Sequence, residues 1–171
     1  QAEMVSGTPV STEGDVNTTI LAVDTSPIDP GVLWVTTDDG RIQLSRDNGG
    51  SWTDTSGRLP GDAPDSAYVP EVKASRHVAG RAYVVVDEHR RGDMRSHVFA
   101  TEGYGERWER LPTGGGITFA HDIEEDPVGW VQVGPRRDFP TLYRSRLLKR
   151  VDDVEPWSAA TATVDLPTPP L

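Results

Sequence analysis

The chain has 171 residues, 35% of them hydrophobic and 26% charged, with 17 Gly and 14 Pro. Its net charge of −10 excludes broad nucleic-acid binding, which needs a cationic surface to displace counterions. No run of about 18 apolar residues is present to span a membrane, and the absence of Cys excludes disulfides and thiolate metal sites.

The many turn-forming residues favour short strands over a helical bundle. Five Trp and several Val/Leu runs argue for a packed core rather than disorder. The bases are fifteen Arg and two Lys, a bias that genome composition explains as well as carboxylate recognition does. The chain begins at Gln1, as a processed protein or a piece of a longer one would.

Residues 1–17 are polar and read as a connector or disordered segment; Asn17-Thr18-Thr19 has the form of a glycosylation sequon. A first strand is predicted from Thr19 to Asp24. The turn Ser26-Pro27-Ile28-Asp29-Pro30-Gly31 follows, built from residues that fix or mimic turn geometry. A second strand runs from Val32 to Asp38. Asp38-Asp39-Gly40 is then a hairpin turn, since Asp-Gly is a strong hairpin signal. As a carboxylate pair Asp38 and Asp39 invite an acid/base reading, but neighbouring residues at a strand end point to opposite faces. Arg41 to Ser45 alternates polar and apolar, predicting a third strand with one buried face.

Ser45-Arg46-Asp47-Asn48-Gly49-Gly50-Ser51-Trp52 matches the Asp-box pattern Ser/Thr-x-Asp-x-Gly-x-Ser/Thr-Trp at every defined position. A carboxylate in such a turn accepts backbone N–H bonds. Gly49 and Gly50 permit conformations other residues resist, and Trp52 is expected to be mostly buried on the sheet. Ser45, Asp47, Gly49, Ser51 and Trp52 are therefore assigned to structure.

The pattern repeats. Val69 to Ala74, the turn Ser75 to Gly80, Arg81 to Asp87 and His97 to Thr101 take the same places in a second unit. A worn box, Thr101-Glu102-Gly103-Tyr104-Gly105-Glu106-Arg107-Trp108, closes it, with Gly103 where Asp should be. A third unit follows with strands at Ile117–Ile123, Val128–Gly134 and Thr141–Ser145, closing at Trp157. Trp34, Tyr83 and Trp130 stand 49 and 47 residues apart. Four strands in roughly 50 residues is the size of a propeller blade. The fold class is all-β: a partial β-propeller of about three four-stranded antiparallel blades. Blade 1 is placed at 18–66, blade 2 at 67–114 and a divergent blade 3 at 115–165, before a Pro-rich tail at 166–171. Three blades do not close a ring, so further blades or another chain are the expected partners.

Residues 18 to about 128 resemble the Asp-box (BNR-repeat) propellers related to sortilin/Vps10 domains and to bacterial BNR-repeat glycosyl hydrolases. Ser26-Pro27-x-x-Pro30, Leu33 to Gly40, the Asp box and Tyr83 to Arg90 carry the resemblance. It implies an exported protein, extracellular or periplasmic, acting as scaffold or ligand-binding module. A hydrolase piece with its catalytic carboxylates elsewhere is the alternative. Related sialidases carry a Phe/Tyr-Arg-Ile-Pro tetrapeptide and an arginine triad around a Tyr nucleophile; no such tetrapeptide occurs here, and no catalytic residue is assigned.

The loop Asp87-Glu88-His89-Arg90-Arg91-Gly92-Asp93 is longer than its counterpart at Asp38-Asp39-Gly40, and extra length in a blade loop often has a use. His89, Arg90, Arg91 and Asp93, near Asp38 and Asp39 of the neighbouring blade, are the ligand-binding candidates. A carbohydrate acid or peptide carboxylate held by bidentate Arg is the expected ligand. The competing reading has Asp87, Glu88 and Asp93 neutralise the arginines. Arg91-Gly92-Asp93 is a chance integrin-type triplet. His121-Asp122 with Glu124 and Glu125 fits metal-site geometry poorly, so neither metal nor cofactor is expected.

Overall fold

The computed structural model describes residues 18–95, 97–111, 122–125, 131–134, 145–150 and 157–164. The described strands form three four-stranded antiparallel sheets, each in sequence order. The first holds β1 (Ile20–Thr25), β2 (Leu33–Thr37), β3 (Ile42–Ser45) and β4 (Thr53–Asp54). The second holds β5 (Tyr68–Ala74), β6 (Ala82–Asp87), β7 (His97–Thr101) and β8 (Trp108–Arg110). The third holds β9 (Asp122–Glu125), β10 (Val131–Gly134), β11 (Ser145–Arg150) and β12 (Trp157–Val164). Strands β1, β5 and β9 neighbour one another from sheet to sheet, as the inner strands of consecutive blades do.

The core between sheets 1 and 2 follows from strand alternation. Trp34, Ile42 and Leu44 share one face of sheet 1; Val72, Ala82, Val84 and Phe99 face them from sheet 2, all buried. Trp34 and Trp108 meet edge to face, centroids 5.8 Å apart at 74°. Tyr83 and Val85 point to the other side of sheet 2 and are equally buried. There the Tyr83 hydroxyl donates to Glu125 of sheet 3 at 2.7 Å. Ser75 Oγ and the Arg76 N–H donate to the same carboxylate, at 3.0 and 2.6 Å. Across the first seam, Asp24 accepts the Ala74 N–H at 2.8 Å. Carboxylates on inner strands thus clamp the sheets in pairs. Pro70 falls where β5 slips register against β6, a position that tolerates a missing N–H.

Three expectations are corrected. β3 is buried along its whole length, Gln43 and Ser45 included, rather than on one face. Alternation marks the chemical difference between two faces, and a polar alternate survives burial where a turn engages it, as with Ser45. Trp52 is half-buried rather than mostly buried, because its ring lies over Gly49 of its own turn; Trp34 and Trp108 fill the core. In sheet 3 the third strand is described over Ser145–Arg150, continuing past the expected end at Ser145, and the first is described at Asp122–Glu125. Residues 1–17, Thr141 to Arg144, Trp130, His121 and the 166–171 tail lie outside the described residues.

Candidate functional site

The Asp box is built as its chemistry requires. Asp47 Oδ1 accepts the Ser51 N–H at 2.7 Å and the Ser45 hydroxyl at 2.9 Å; Oδ2 accepts the Ser51 hydroxyl at 2.6 Å. Those bonds, Ser51's first, hold the Asp47 carboxyl down at about 2. The Asn48 N–H anchors the turn to the Gly31 carbonyl. The worn box keeps this frame without its carboxylate: the Tyr104 N–H bonds the Gly80 carbonyl, and Thr101 Oγ1 accepts the Gly105 N–H at 3.1 Å. Tyr104 takes φ 54°, as Asn48 takes 58°, and Arg46 of the first box stacks on its ring at 4.0 Å.

A groove of about 640 Å³ opens where sheets 1 and 2 meet. Three segments line it. The β2–β3 turn supplies Asp38, Asp39, Gly40 and Arg41. The link between the sheets supplies Ser56, Gly57, Leu59, Pro60 and Ala63 to Ser66, and the β6–β7 loop supplies Arg91. Asp38 accepts the Thr19 N–H at 2.8 Å. Asp39 accepts the hydroxyls of Thr37 and Thr18, with Arg41 Nε at 4.0 Å. The two carboxylates are each engaged by different partners in the turn and the first strand. Arg41 donates to Asp54 at 2.8 Å. Gly40 sits at φ +89°, and a Cβ there would lie 2.9 Å from Ser66 Cα, so glycine lets turn and link touch.

Arg91 reaches across from sheet 2. Its guanidinium donates to the Asp65 carbonyl at 3.0 Å and the Ser66 carbonyl at 3.3 Å, and pairs with Glu88 at 3.2 Å. It therefore holds the groove wall in place. Of the six candidates, the structure brings Asp38, Asp39 and Arg91 together; His89, Arg90 and Asp93 do not line the groove. His89 turns back onto Asp87, and Arg90 lies over the Tyr68 ring at 4.8 Å. Asp93 chelates Arg95 at 2.6 and 2.9 Å, which holds its carboxyl below the usual range. It also meets buried His97 Nε2 at 3.0 Å. Arg110 approaches Nδ1 of His97 at 3.1 Å and pairs with Asp62 at 2.8 Å. Burial pushes the His97 imidazole below its ordinary value.

The wall formed by residues 56–66 was not anticipated among the candidates. Its sequence signal is Leu59-Pro60 and Ala63-Pro64, two apolar pairs each ending in a stiff proline, between two strand units. A second cavity of about 310 Å³ lies beside the inner strands, lined by Asp24, Lys73, Arg76 and Glu125 among others. Glu125 belongs to the clamp described above, not to a metal cluster, and no group of metal-holding residues occurs among the described residues. No described helix is long and apolar enough to cross a membrane.

The chain matches no protein-family model and no curated protein. Its fold is similar to solved β-propellers. YCF48 from Cyanidioschyzon merolae superposes with a TM-score of 0.52 at 16% identity, over 86% of this chain and 39% of that one. YCF48 bound to D1 peptide gives 0.51 at 13%, over 88% and 43%. The GH74 xyloglucanase from Xanthomonas campestris gives 0.51 at 16%, over 84% and 21%. The chain thus spans less than half the length of each of these neighbours.

Proposed function

We propose that this chain is a non-catalytic arc of an Asp-box propeller that binds a protein or peptide segment in the groove between its first two blades. The blades are taken as 18–66, 67–114 and 115–165, and the setting as an exported protein with sortilin/Vps10-like relatives. The observation that carries the reading is the groove itself, assembled from turn, link and loop of two sheets, with Arg91 fixing its wall. A peptide complex of one structural neighbour supports the ligand class. Groove volume is in the range of small-ligand sites, and a mixed polar and apolar lining suits a side chain presented on an extended segment. The test is an array of end-capped peptides probed with the full chain. Retention that disappears in a Gly40→Val variant, whose side chain forces turn from link, is the expected result. Absence of retention on every peptide would refute peptide binding.

Likeness to a xyloglucanase favours a second reading, a piece of a glycoside hydrolase whose acid and base lie on other blades. Incubation with xyloglucan oligosaccharides, followed by chromatography, separates the two: product release by this chain alone would replace the binding reading.

A further inference from the structure

The groove is lined by charges of both signs that differ in how far the protein itself engages them. Asp38, Asp39 and Asp65 line it against two guanidiniums, Arg41 and Arg91. Both cations are engaged by the protein itself. Arg41 is held by Asp54 at 2.8 Å. Arg91 is spread over the Asp65 and Ser66 carbonyls and Glu88. The carboxylates are less committed. Asp38 meets a backbone N–H, and Asp65 is approached by the adjacent Ser66 hydroxyl at 3.5 Å. Among the described residues neither is paired with a cation.

The wall opposite carries the same message. Pro60 and Pro64 have no N–H to offer an anion. With Leu59 and Ala63 they form an apolar surface on which a long alkyl stem can lie while its charged head reaches a carboxylate. Both guanidiniums of the groove already bond protein acceptors, which weighs against the expected anionic ligand held by bidentate arginine.

We infer that the groove between blades 1 and 2 receives an Arg or Lys side chain on an extended segment of a protein partner, its stem on the Leu59–Pro64 wall and its charge between Asp38 and Asp65. This rests on the peptide-binding reading above and narrows it. Charge complementarity of this kind governs approach and selectivity, and weakens with salt.

The experiment is an array of end-capped heptapeptides whose central residue is Arg, Lys, Gln or Glu, probed with three forms of the full chain. These are the unaltered protein, the Asp38→Asn/Asp65→Asn variant, and an Asp29→Asn/Glu106→Gln variant that removes equal charge elsewhere. Asn at 38 keeps an oxygen for the Thr19 N–H, and thermal melts verify that all three fold. Retention on Arg- and Lys-centred peptides, falling about tenfold only in the Asp38/Asp65 variant, is expected for loss of a paired charge. Preference for Glu-centred peptides overturns the inference and leaves peptide binding standing. An equal fall in both variants also overturns it, by assigning retention to the global charge of −10. Retention on no peptide removes the underlying reading as well.

Discussion

Asp47 shows how one carboxylate organises a turn. Its pKa in the fold, about 2, lies below its ordinary 3.8, so its contribution to stability is complete above the unfolded value and is lost as pH falls through about 2. Asp47→Asn is expected to melt lower than the unaltered protein from pH 4 upward, with the gap closing toward pH 2. Thermal scans across that range measure it, and a constant gap would contradict the assignment. Gly40 is the second position where one atom decides. Its φ of +89° and the 2.9 Å approach to Ser66 Cα leave no room for a methyl group. Gly40→Ala should cost more than about 1 kcal/mol in urea unfolding. His97 makes a sharper statement. Arg110 has only donors to offer its Nδ1, which assigns the ring proton to Nε2, facing Asp93. Because burial lowers its pKa, the unfolded chain binds the proton more readily, and His97 stabilises the fold above its unfolded pKa and not below its folded one. Nitrogen-detected NMR of the imidazole should find the Nε2–H tautomer at neutral pH; an Nδ1–H ring would refute the network.

At the scale of the element, the seams between sheets are the informative places. Tyr83 is fully buried and supplies one of the three donors to the Glu125 carboxylate. Tyr83→Phe leaves that oxygen short of a donor and should cost about 1–3 kcal/mol in denaturant unfolding. A cost near zero would mean that the clamp is not satisfied by this hydroxyl. What could be read in advance tracks how local each feature is. The side-chain bonds of Asp47 close within the contiguous segment Ser45 to Ser51, and the Asn48 N–H reaches out of the box, to Gly31. The aromatic strands β2 and β6 were legible because their period and their preceding turns repeat. The groove wall was not, since Gly40 meets Ser66 and Arg91 meets Asp65 only once the angle between two sheets is set. The same reason hid the choice of core tryptophan. Trp34 and Trp108 come together across a seam, whereas Trp52 is held by its own loop. In the third sheet the repeat had already faded after residue 128, and with it the register of β11.

For the whole molecule, stacking makes protection uneven. Every residue of β6 and β7 is buried, whereas both residues of β4 are exposed and β1 is open at Ile20, Val23 and Thr25. Among the strands of sheets 1 and 2, amide exchange should therefore be slowest in 82–87 and 97–101 and fastest in 53–54. Comparable exchange in the strands of both sheets would deny that sheet 2 is the more protected of the two. The Arg91 bridge carries this further. One wall of the groove belongs to the link, but its position is set by a residue of the second sheet, so the groove has its shape only at one angle between the two sheets. Anything seated there becomes a torsional brake. It adds free energy to that angle in proportion to the logarithm of its own concentration above Kd, about 2.7 kcal/mol at a hundredfold excess. Rigidity in this arc is thus a quantity that its surroundings can set, and an unoccupied propeller and an occupied one would differ in stiffness while sharing one shape.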